Sequence, residues 1–260
     1  MKLAISNIAF EAQDDEYFYS LMNKLGFCGL EIAPTRIIPR SPYDNNEIIS
    51  EFSRRIKAEY GLDIVSMQSI WFGITQRIFG TDEERNFLAD YTKKAIDFAH
   101  SANCKNLVFG CPRNRVIDGD EQYPVAVEFF RGLGDYAESR GTVVALEANP
   151  AIYNTNFINN DTDALKLWKD VSSDGFKINL DIGTVIHNEQ DITELDFSAI
   201  SHVHLSEPGL VKPQKRALHK QLADMMRKYD YKGYISIEMK KGLDRGEIEQ
   251  VMNYAKEVFS

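Results

Sequence analysis

Apolar and polar positions follow two alternating rhythms along this chain. Short apolar runs with a period of two predict strands, and longer stretches with apolar residues every three or four positions predict helices. Turn residues such as Gly, Pro and Asp separate the two patterns, and no low-complexity linker divides the chain. The predicted strands cover residues 2–7, 29–33, 63–68, 106–109, 143–147, 177–181, 202–206 and 234–238.

The helical stretches between the strands carry start and stop signals. Thr81-Asp82-Glu83-Glu84 is a capping-box sequence, and Gly26 and Gly61 stand where helices are expected to end. Eight strand–helix units in 260 residues predict a single-domain (β/α)8 TIM barrel over residues 1–260, with an open doubly wound sheet as the alternative. The predicted helices cover about 14–25, 46–60, 82–102, 123–140, 162–171, 214–229 and 247–259, with a shorter helical or irregular piece at 189–199.

The composition of the chain favours a small-molecule partner over a nucleic acid or a membrane. A net charge of -9 and a pI near 5.1 argue against nucleic-acid binding, which needs clustered Lys and Arg. No apolar run approaches the roughly 20 residues of a membrane span, and the N-terminus does not resemble a signal peptide. Three scattered cysteines predict neither a disulfide framework nor a zinc knot, so a cytoplasmic location is expected. Homo-oligomerisation stays open.

Residues 201–208, Ser-His-Val-His-Leu-Ser-Glu-Pro, place two histidines on one face of a predicted strand. Val203 and Leu205 face the other way, toward the helices. His202 and His204 therefore point into the barrel, where a polar group needs a partner. Two histidines on one strand are more often a hydrogen-bonded core feature than a ligand set, so the other strands decide.

Four successive strands point polar groups inward near their carboxyl ends, where barrel enzymes build their sites. Three carboxylates at one barrel mouth would repel each other and raise each other's pKa unless a cation neutralised them. Such an oxygen-rich set with one imidazole suits Mn2+ first, with Mg2+, Co2+ or Zn2+ as alternatives. The alternative is that each carboxylate forms an ordinary salt bridge. The four predicted metal ligands are Glu147, Asp181, His204 and Glu238.

Several segments after the fourth strand resemble a known family. They include Phe-Gly-Cys-Pro-Arg-Asn-Arg at 109–115, Leu-Glu-Ala-Asn-Pro at 146–150, Leu-Asp-Ile-Gly-Thr at 180–184, 202–208 and Ser-Ile-Glu-Met-Lys at 236–240. With these segments the chain resembles the xylose-isomerase-like barrels known as sugar phosphate isomerases and epimerases, which include ketose 3-epimerases. The resemblance implies one metal on the four predicted ligands, with Glu147 and Glu238 doubling as acid and base.

This chemistry is physically coherent for a ketose or a sugar phosphate. A divalent ion chelated by a carbonyl and a hydroxyl oxygen stabilises the cis-enediolate that forms when a neighbouring C–H loses its proton. Glu147 and Glu238 could remove and return that proton from opposite faces, which inverts the carbon. Return to the neighbouring carbon would give isomerisation instead.

Other residues are candidate substrate contacts. Arg113 and Arg115 could hold an anionic group through their guanidinium forks, and a sugar could stack on Trp71 beside Phe72. One departure concerns Thr184, which stands where ketose 3-epimerases carry a histidine, so their substrate preference is not transferred; His187 is the substitute candidate. The complete predicted set of substrate contacts is Glu31, Gln68, Trp71, Arg113, Arg115, Thr184, His187 and Lys240.

Three other functions stay open at this point. A metal-dependent dehydratase of a keto-cyclitol or related keto-sugar would share the barrel and the metal but expel a hydroxyl group. A phosphodiesterase of the AP-endonuclease type would need a multi-zinc site, for which five histidines and a charge of -9 are poorly suited. A non-catalytic barrel would bind sugar without proton exchange.

Overall fold

Eight parallel strands close into one barrel in chain order, each hydrogen-bonded to the next and β8 to β1. The computed structural model describes residues 1–260. The predicted TIM barrel is therefore confirmed, and the open-sheet alternative is wrong. The strands are β1 (Lys2–Ser6), β2 (Gly29–Ile32), β3 (Asp63–Met67), β4 (Asn106–Phe109), β5 (Val143–Glu147), β6 (Phe176–Asp181), β7 (Ile200–Leu205) and β8 (Tyr234–Ile237).

The helices pack around the barrel and bury its outer apolar face. Leu146, Leu180 and Val203 are fully buried there, whereas the next residue along each strand points into the barrel. The helices are α1 (Asp15–Leu25), α2 (Pro34–Ile37), α3 (Asn46–Tyr60), α4 (Asp82–Ser101), α5 (Tyr123–Ser139), α6 (Asp161–Val171), α7 (Ile182–His187), α8 (Ala217–Lys228) and α9 (Arg245–Phe259). None of them combines the length and the apolar composition that crossing a bilayer requires.

Start and stop signals act as the sequence predicts. Thr81 accepts a hydrogen bond from the Glu84 amide while the Glu84 side chain accepts one from Thr81, which completes the capping box of α4. Gly26 and Gly61 end α1 and α3 in the left-handed conformation, at φ 84° and 71°.

Three elements differ from the prediction. The sequence pattern indicates neither the four-residue helix α2, which begins at Pro34 directly after β2, nor the short helix α7, which follows β6 without a linker. Asp181 caps α7, since its carboxylate accepts a hydrogen bond from the Thr184 amide. Residues 211–216 before α8 have no regular secondary structure, and Glu207 binds the amide of Gln214 and the side chain of Arg216. This ion pair closes the loop after β7.

Candidate functional site

The carboxyl ends of β5 to β8 bring the four predicted ligands to one mouth of the barrel. Glu147 and Asp181 end their strands, and Glu238 directly follows β8. Strand register aligns Asp181 with His204 on the neighbouring strand, and His204 with Ser236 on the next. Because all eight strands are parallel, these side chains share the same end of the barrel.

His204 lies between two carboxylates. Its Nδ1 is 3.1 Å from Glu147 Oε2 and 3.1 Å from Glu238 Oε2. One possible ligand atom from each of these three residues lies within 4.8 Å of the other two. The arrangement is compact enough for all three to contact a single ion.

Glu31 and His202 contact each other beneath the cavity, and Glu31 also contacts His204. Glu31 Oε2 lies 2.9 Å from His204 Nε2 and 3.0 Å from His202 Nε2, and all three side chains are almost completely buried. Burial would raise the pKa of Glu31, but the two histidines outweigh it and hold that pKa well below its usual range. An ionised Glu31 accepts from Nε2–H of His204, which leaves Nδ1 directed at the two glutamates.

Asp181 stands slightly apart from this cluster. Its Oδ2 accepts hydrogen bonds of 2.9 Å from both the amide and the hydroxyl of Thr184, and its Oδ1 accepts one from Ser206. Burial, followed by the charge of Glu147, raises the pKa of Asp181. Asp181 lines the same cavity as Glu147 and Glu238, so it completes the acidic group.

The site holds more negative charge than the protein neutralises. None of its three carboxylates forms an ion pair with a lysine or an arginine, and His204 is the cation they share. Burial raises the pKa of Glu238 to about 7, and Glu147 and Asp181 add to the shift. Burial alone would lower the pKa of His204, but Glu238 and Glu31 raise it well above its usual value. Buried carboxylates that share one imidazole fit a hard divalent cation.

Two asparagines that the sequence analysis did not single out hold Glu147. Asn149 Nδ2 donates to Oε1 at 2.8 Å, and Asn179 Nδ2 donates to Oε2 at 2.7 Å. Asn149 lies in the matched segment 146–150, and Asn179 shares the inward phase of Asp181, so both could have been found from the strand pattern. They fix the direction in which Glu147 faces the cavity.

The cavity over these groups has a volume of about 230 Å3. Gly110 keeps it open, since a Cβ there would lie 3.2 Å from Glu147 Oε1. Gln68 lines it and donates to Ser6 Oγ at 2.9 Å, so its side chain is already oriented. The lining residues are Gln68, Ser69, Val108, Gly110, Cys111, Pro112, Glu147, Asn149, Tyr153, Asp181, Leu210 and Glu238.

Three predicted substrate contacts do not fit the structure. Arg115 is fully buried, and its guanidinium donates to the carbonyls of Phe157 and Glu147 and to Asn149 Oδ1, so it holds loops together and cannot reach an anion. Trp71 packs in the core, with its Nε1 donating to Thr92. The carboxylate of Glu31 is likewise fully buried beneath the cavity, where it contacts His202 and His204.

The other predicted contacts are placed as follows. Thr184 is buried, and its hydroxyl donates hydrogen bonds to the Asp181 carboxylate and the Ala148 carbonyl. Arg113, His187 and Lys240 are exposed on the same face of the barrel and do not line the cavity. Of the predicted substrate set, Gln68 alone lines it.

Comparison with known structures finds the same barrel. A 3-keto-D-glucoside 4-epimerase from E. coli is 18% identical, covers 99% of both chains and has a TM-score of 0.78. A D-psicose 3-epimerase from Clostridium cellulolyticum H10, solved with D-tagatose, is 16% identical, covers 100% of both chains and has a TM-score of 0.78. An AP endonuclease of family 2 from Brucella melitensis is 20% identical over 99% of both chains, with a TM-score of 0.76. These identities establish the shared fold.

Sequence comparison gives the family. A search of curated proteins found no significant match. A family model described as xylose isomerase-like TIM barrel matches residues 20–258, which is most of the chain. With the closed barrel, this match shows that the chain belongs to the xylose isomerase-like TIM barrel family.

Proposed function

We propose that this protein is a divalent-metal-dependent epimerase or isomerase of a ketose or a related keto-sugar. The observation that carries the proposal is the convergence of Glu147 and Glu238 on one atom of His204 at the barrel mouth, beside Asp181. The sugar epimerases with the same fold support it.

Four residues would hold the metal: Glu147, Asp181, His204 and Glu238. A bound divalent ion would supply a Lewis acid toward the carbonyl and hydroxyl oxygens of a keto-sugar. Mn2+ is our first choice, with Mg2+, Co2+ or Zn2+ as alternatives, because the donor set contains three carboxylates and no thiolate. Glu31 would fix the ring of His204, and Asn149 and Asn179 would fix Glu147.

Glu147 and Glu238 would carry the proton. Each has a carboxylate oxygen 3.1 Å from His204 Nδ1. Glu147 ends β5 and Glu238 directly follows β8, so the two carboxylates would approach a substrate bound in the cavity from different parts of the barrel wall. Glu147 would accept a proton from the carbon next to the carbonyl, and Glu238 would return one to the opposite face.

The carbon that receives the proton decides the reaction. Return to the same carbon from the other face gives the epimer, and return to the former carbonyl carbon gives the isomer. If the next carbon lost its hydroxyl group, the reaction would be a dehydration, and the protein would be the second candidate, a dehydratase. A dehydratase needs an acid near that leaving group. The cavity offers no carboxylic acid besides Glu147, Asp181 and Glu238, which are already assigned to the metal and the proton transfer, so we favour epimerisation or isomerisation.

The remaining candidates have less support. His202 and His204 are the two histidines inside the barrel, because His219 on α8 bonds Tyr254, and His100 on α4 and His187 on α7 are exposed. A multi-zinc phosphodiesterase site therefore lacks histidine ligands. A non-catalytic barrel would leave the oriented glutamates without a role. The three cysteines are free thiols, which is compatible with the cytoplasmic location that we propose.

Product analysis tests the function. The protein is incubated with a panel of keto-sugars after chelation and after addition of Mn2+, and the products are identified by NMR and mass spectrometry. We expect a product of unchanged mass that forms only with metal. A product that has lost water would favour the dehydratase, and turnover that is equal after chelation would contradict the metal-dependent mechanism.

A further inference from the structure

A second cavity lies at the opposite end of the barrel, where the strands begin. The first residues of β1, β3, β4, β5, β7 and β8 line it, and we call it the amino-end cavity. Its volume of about 500 Å3 is within the roughly 300–1,000 Å3 of pockets that enclose small molecules. It shares no lining residue with the cavity over Glu147 and Glu238, so the proposed reaction does not use it.

Lysines give the amino-end cavity a positive lining. Its single carboxylate, Asp63, is neutralised by Lys57, whose Nζ lies 2.9 Å from Oδ2. Of the four lining lysines, Lys232 is paired with Asp230, and the other three form no ion pair. The cavity therefore carries an excess of positive charge, although the chain as a whole has a net charge of -9. The three unpaired lysines are Lys2, Lys105 and Lys177.

Two of these lysines start from inward-facing strand positions. Lys2 alternates with inward Ser6 on β1, and Lys177 alternates with inward Asp181 on β6. Their Nζ atoms lie 5.1 Å and 5.5 Å from the ring centres of Tyr234 and Trp168, respectively. Contacts of this kind are weak at exposed sites, so both ammonium groups stay available to an anion.

A buried imidazole lies at the inner end of the amino-end cavity. His202 lines the cavity and is 1% exposed. Its Nε2 lies 3.0 Å from Glu31 Oε2 without forming a well-directed hydrogen bond. Buried polar side chains in folded proteins normally have hydrogen-bond partners. The unsatisfied imidazole is therefore a second indication, independent of the lysines, that a polar ligand enters here.

The composition of the lining favours a phosphate group over a carboxylate. Recognition of carboxylates relies on the planar fork of arginine, and no arginine lines the cavity. Lysine binds phosphate as a point charge. A phosphate group also carries nearly two negative charges at neutral pH, which matches several unpaired lysines better than the single charge of a carboxylate.

We propose that the amino-end cavity binds a phosphate group, held by Lys2, Lys105 and Lys177 with His202 at the inner end. The phosphate group belongs either to inorganic phosphate or to a small phosphorylated molecule. The mouth of the barrel does not fit this ligand, because three carboxylates and no lysine or arginine line the cavity there. The two ends of the barrel thus differ in the sign of their charge.

Calorimetric titration of the metal-free protein with inorganic phosphate, at neutral pH and constant ionic strength, tests the proposal. We expect saturable binding of one phosphate per chain, with a dissociation constant of about 1 mM or tighter. Acetate should bind at least about tenfold more weakly. Binding that does not saturate, or acetate that binds as tightly as phosphate, overturns the site.

A parallel titration with glycerol 3-phosphate separates the two sources of the phosphate group. Tighter binding than inorganic phosphate would assign the site to a small phosphorylated molecule. Equal or weaker binding would assign it to free phosphate.

Charge variants locate the binding. The double variant Lys2→Met, Lys177→Met should bind phosphate at least about tenfold more weakly than wild type. Lys220→Met, Lys228→Met removes two exposed lysines from α8, changes the net charge equally and should keep the wild-type affinity. Equal losses in the two double variants overturn the assignment. If circular dichroism shows that the first double variant is unfolded, the exposed Lys105→Met decides, and unchanged binding in it overturns the proposal.

One more variant separates the two ends of the barrel. Glu147→Gln should bind phosphate as wild type does, since Glu147 does not line the amino-end cavity. Phosphate binding that tightens in Glu147→Gln would place the ion at the mouth and overturn the proposal. Because neither metal nor sugar is present in these titrations, their outcome does not depend on the proposed epimerase or isomerase activity.

Discussion

At the scale of single residues, the site depends on which nitrogen of His204 faces the cavity. Glu31 and His202 lie below it, and Glu147 and Glu238 lie on the side of the cavity. Because Glu31 accepts from Nε2–H, Nδ1 is the nitrogen that faces the two glutamates, and it would lose its proton on binding a metal. Partners of this kind set the tautomer and orientation of metal-binding histidines.

Replacement of Glu31 by Gln should weaken metal binding without leaving a cavity, because the two side chains have nearly the same size. An amide can present its NH2 to His204 as readily as its oxygen, so the tautomer is no longer fixed. We expect Mn2+ affinity, measured by calorimetry, to fall about 10–100-fold. Glu207→Gln is the matched control, since Glu207 is buried but pairs with Arg216 outside the cluster. Equal affinities of the Glu31 variant and wild type would remove Glu31 from this role.

At the scale of elements, the loops after β4 and β5 are joined by Arg115. Its guanidinium is buried and donates to Phe157 O at 3.0 Å, Glu147 O at 2.8 Å and Asn149 Oδ1 at 2.6 Å. Asn149 in turn donates to the Glu147 carboxylate. Arg115 therefore acts on the site through the loop that carries Asn149.

Loss of this arginine should cost stability. Arg115→Met keeps the length of the side chain but leaves three buried acceptors without a donor, so we expect the free energy of unfolding to fall by about 2–4 kcal/mol. Arg113→Met, two residues away and exposed, should change it by less than about 0.5 kcal/mol. Urea denaturation followed by circular dichroism measures both. Similar losses in the two variants would contradict this structural role.

The packing of α8 on α9 depends on pH through His219. Its Nδ1 lies 2.9 Å from the Tyr254 hydroxyl, and burial lowers its pKa to about 4. In the unfolded chain a histidine titrates near 6.5, so between pH 6.5 and 4 the unfolded state binds a proton that the folded state does not. The contribution of neutral His219 to the free energy of unfolding is fully present above pH 6.5 and is lost, by up to about 3 kcal/mol, as the pH drops to 4.

Denaturation across this range checks the effect. His219→Gln should flatten the loss of stability between pH 6.5 and 4, whereas His100→Gln, which replaces an exposed histidine on α4, should keep the slope of the wild type. An unchanged slope in the His219 variant would show that another group is responsible.

At the scale of the whole molecule, the barrel could be predicted because local patterns decide it. Period-two runs located all eight strands to within one or two residues, and the shared inward phase brought Glu147, Asp181, His204 and Glu238 to one mouth. Substrate contacts could not be predicted in this way. Arg115 and Trp71 lie in loops, where sequence does not reveal whether a side chain turns into the core or toward solvent. The register shift between Leu30 and Glu31, where β2 pairs with β3, is likewise not indicated by any sequence pattern.

We propose that Glu147 and Glu238 exchange a substrate proton at a metal site. This exchange is tested by the incorporation of deuterium from D2O into a keto-sugar turned over by wild type, Glu147→Gln and Glu238→Gln, each loaded with Mn2+ and checked for sugar binding. We predict deuterium at the carbon next to the carbonyl in the wild-type product, and loss of incorporation in both variants by at least about 100-fold with sugar binding retained. Full incorporation in either variant, or a wild-type product without deuterium, would contradict the account.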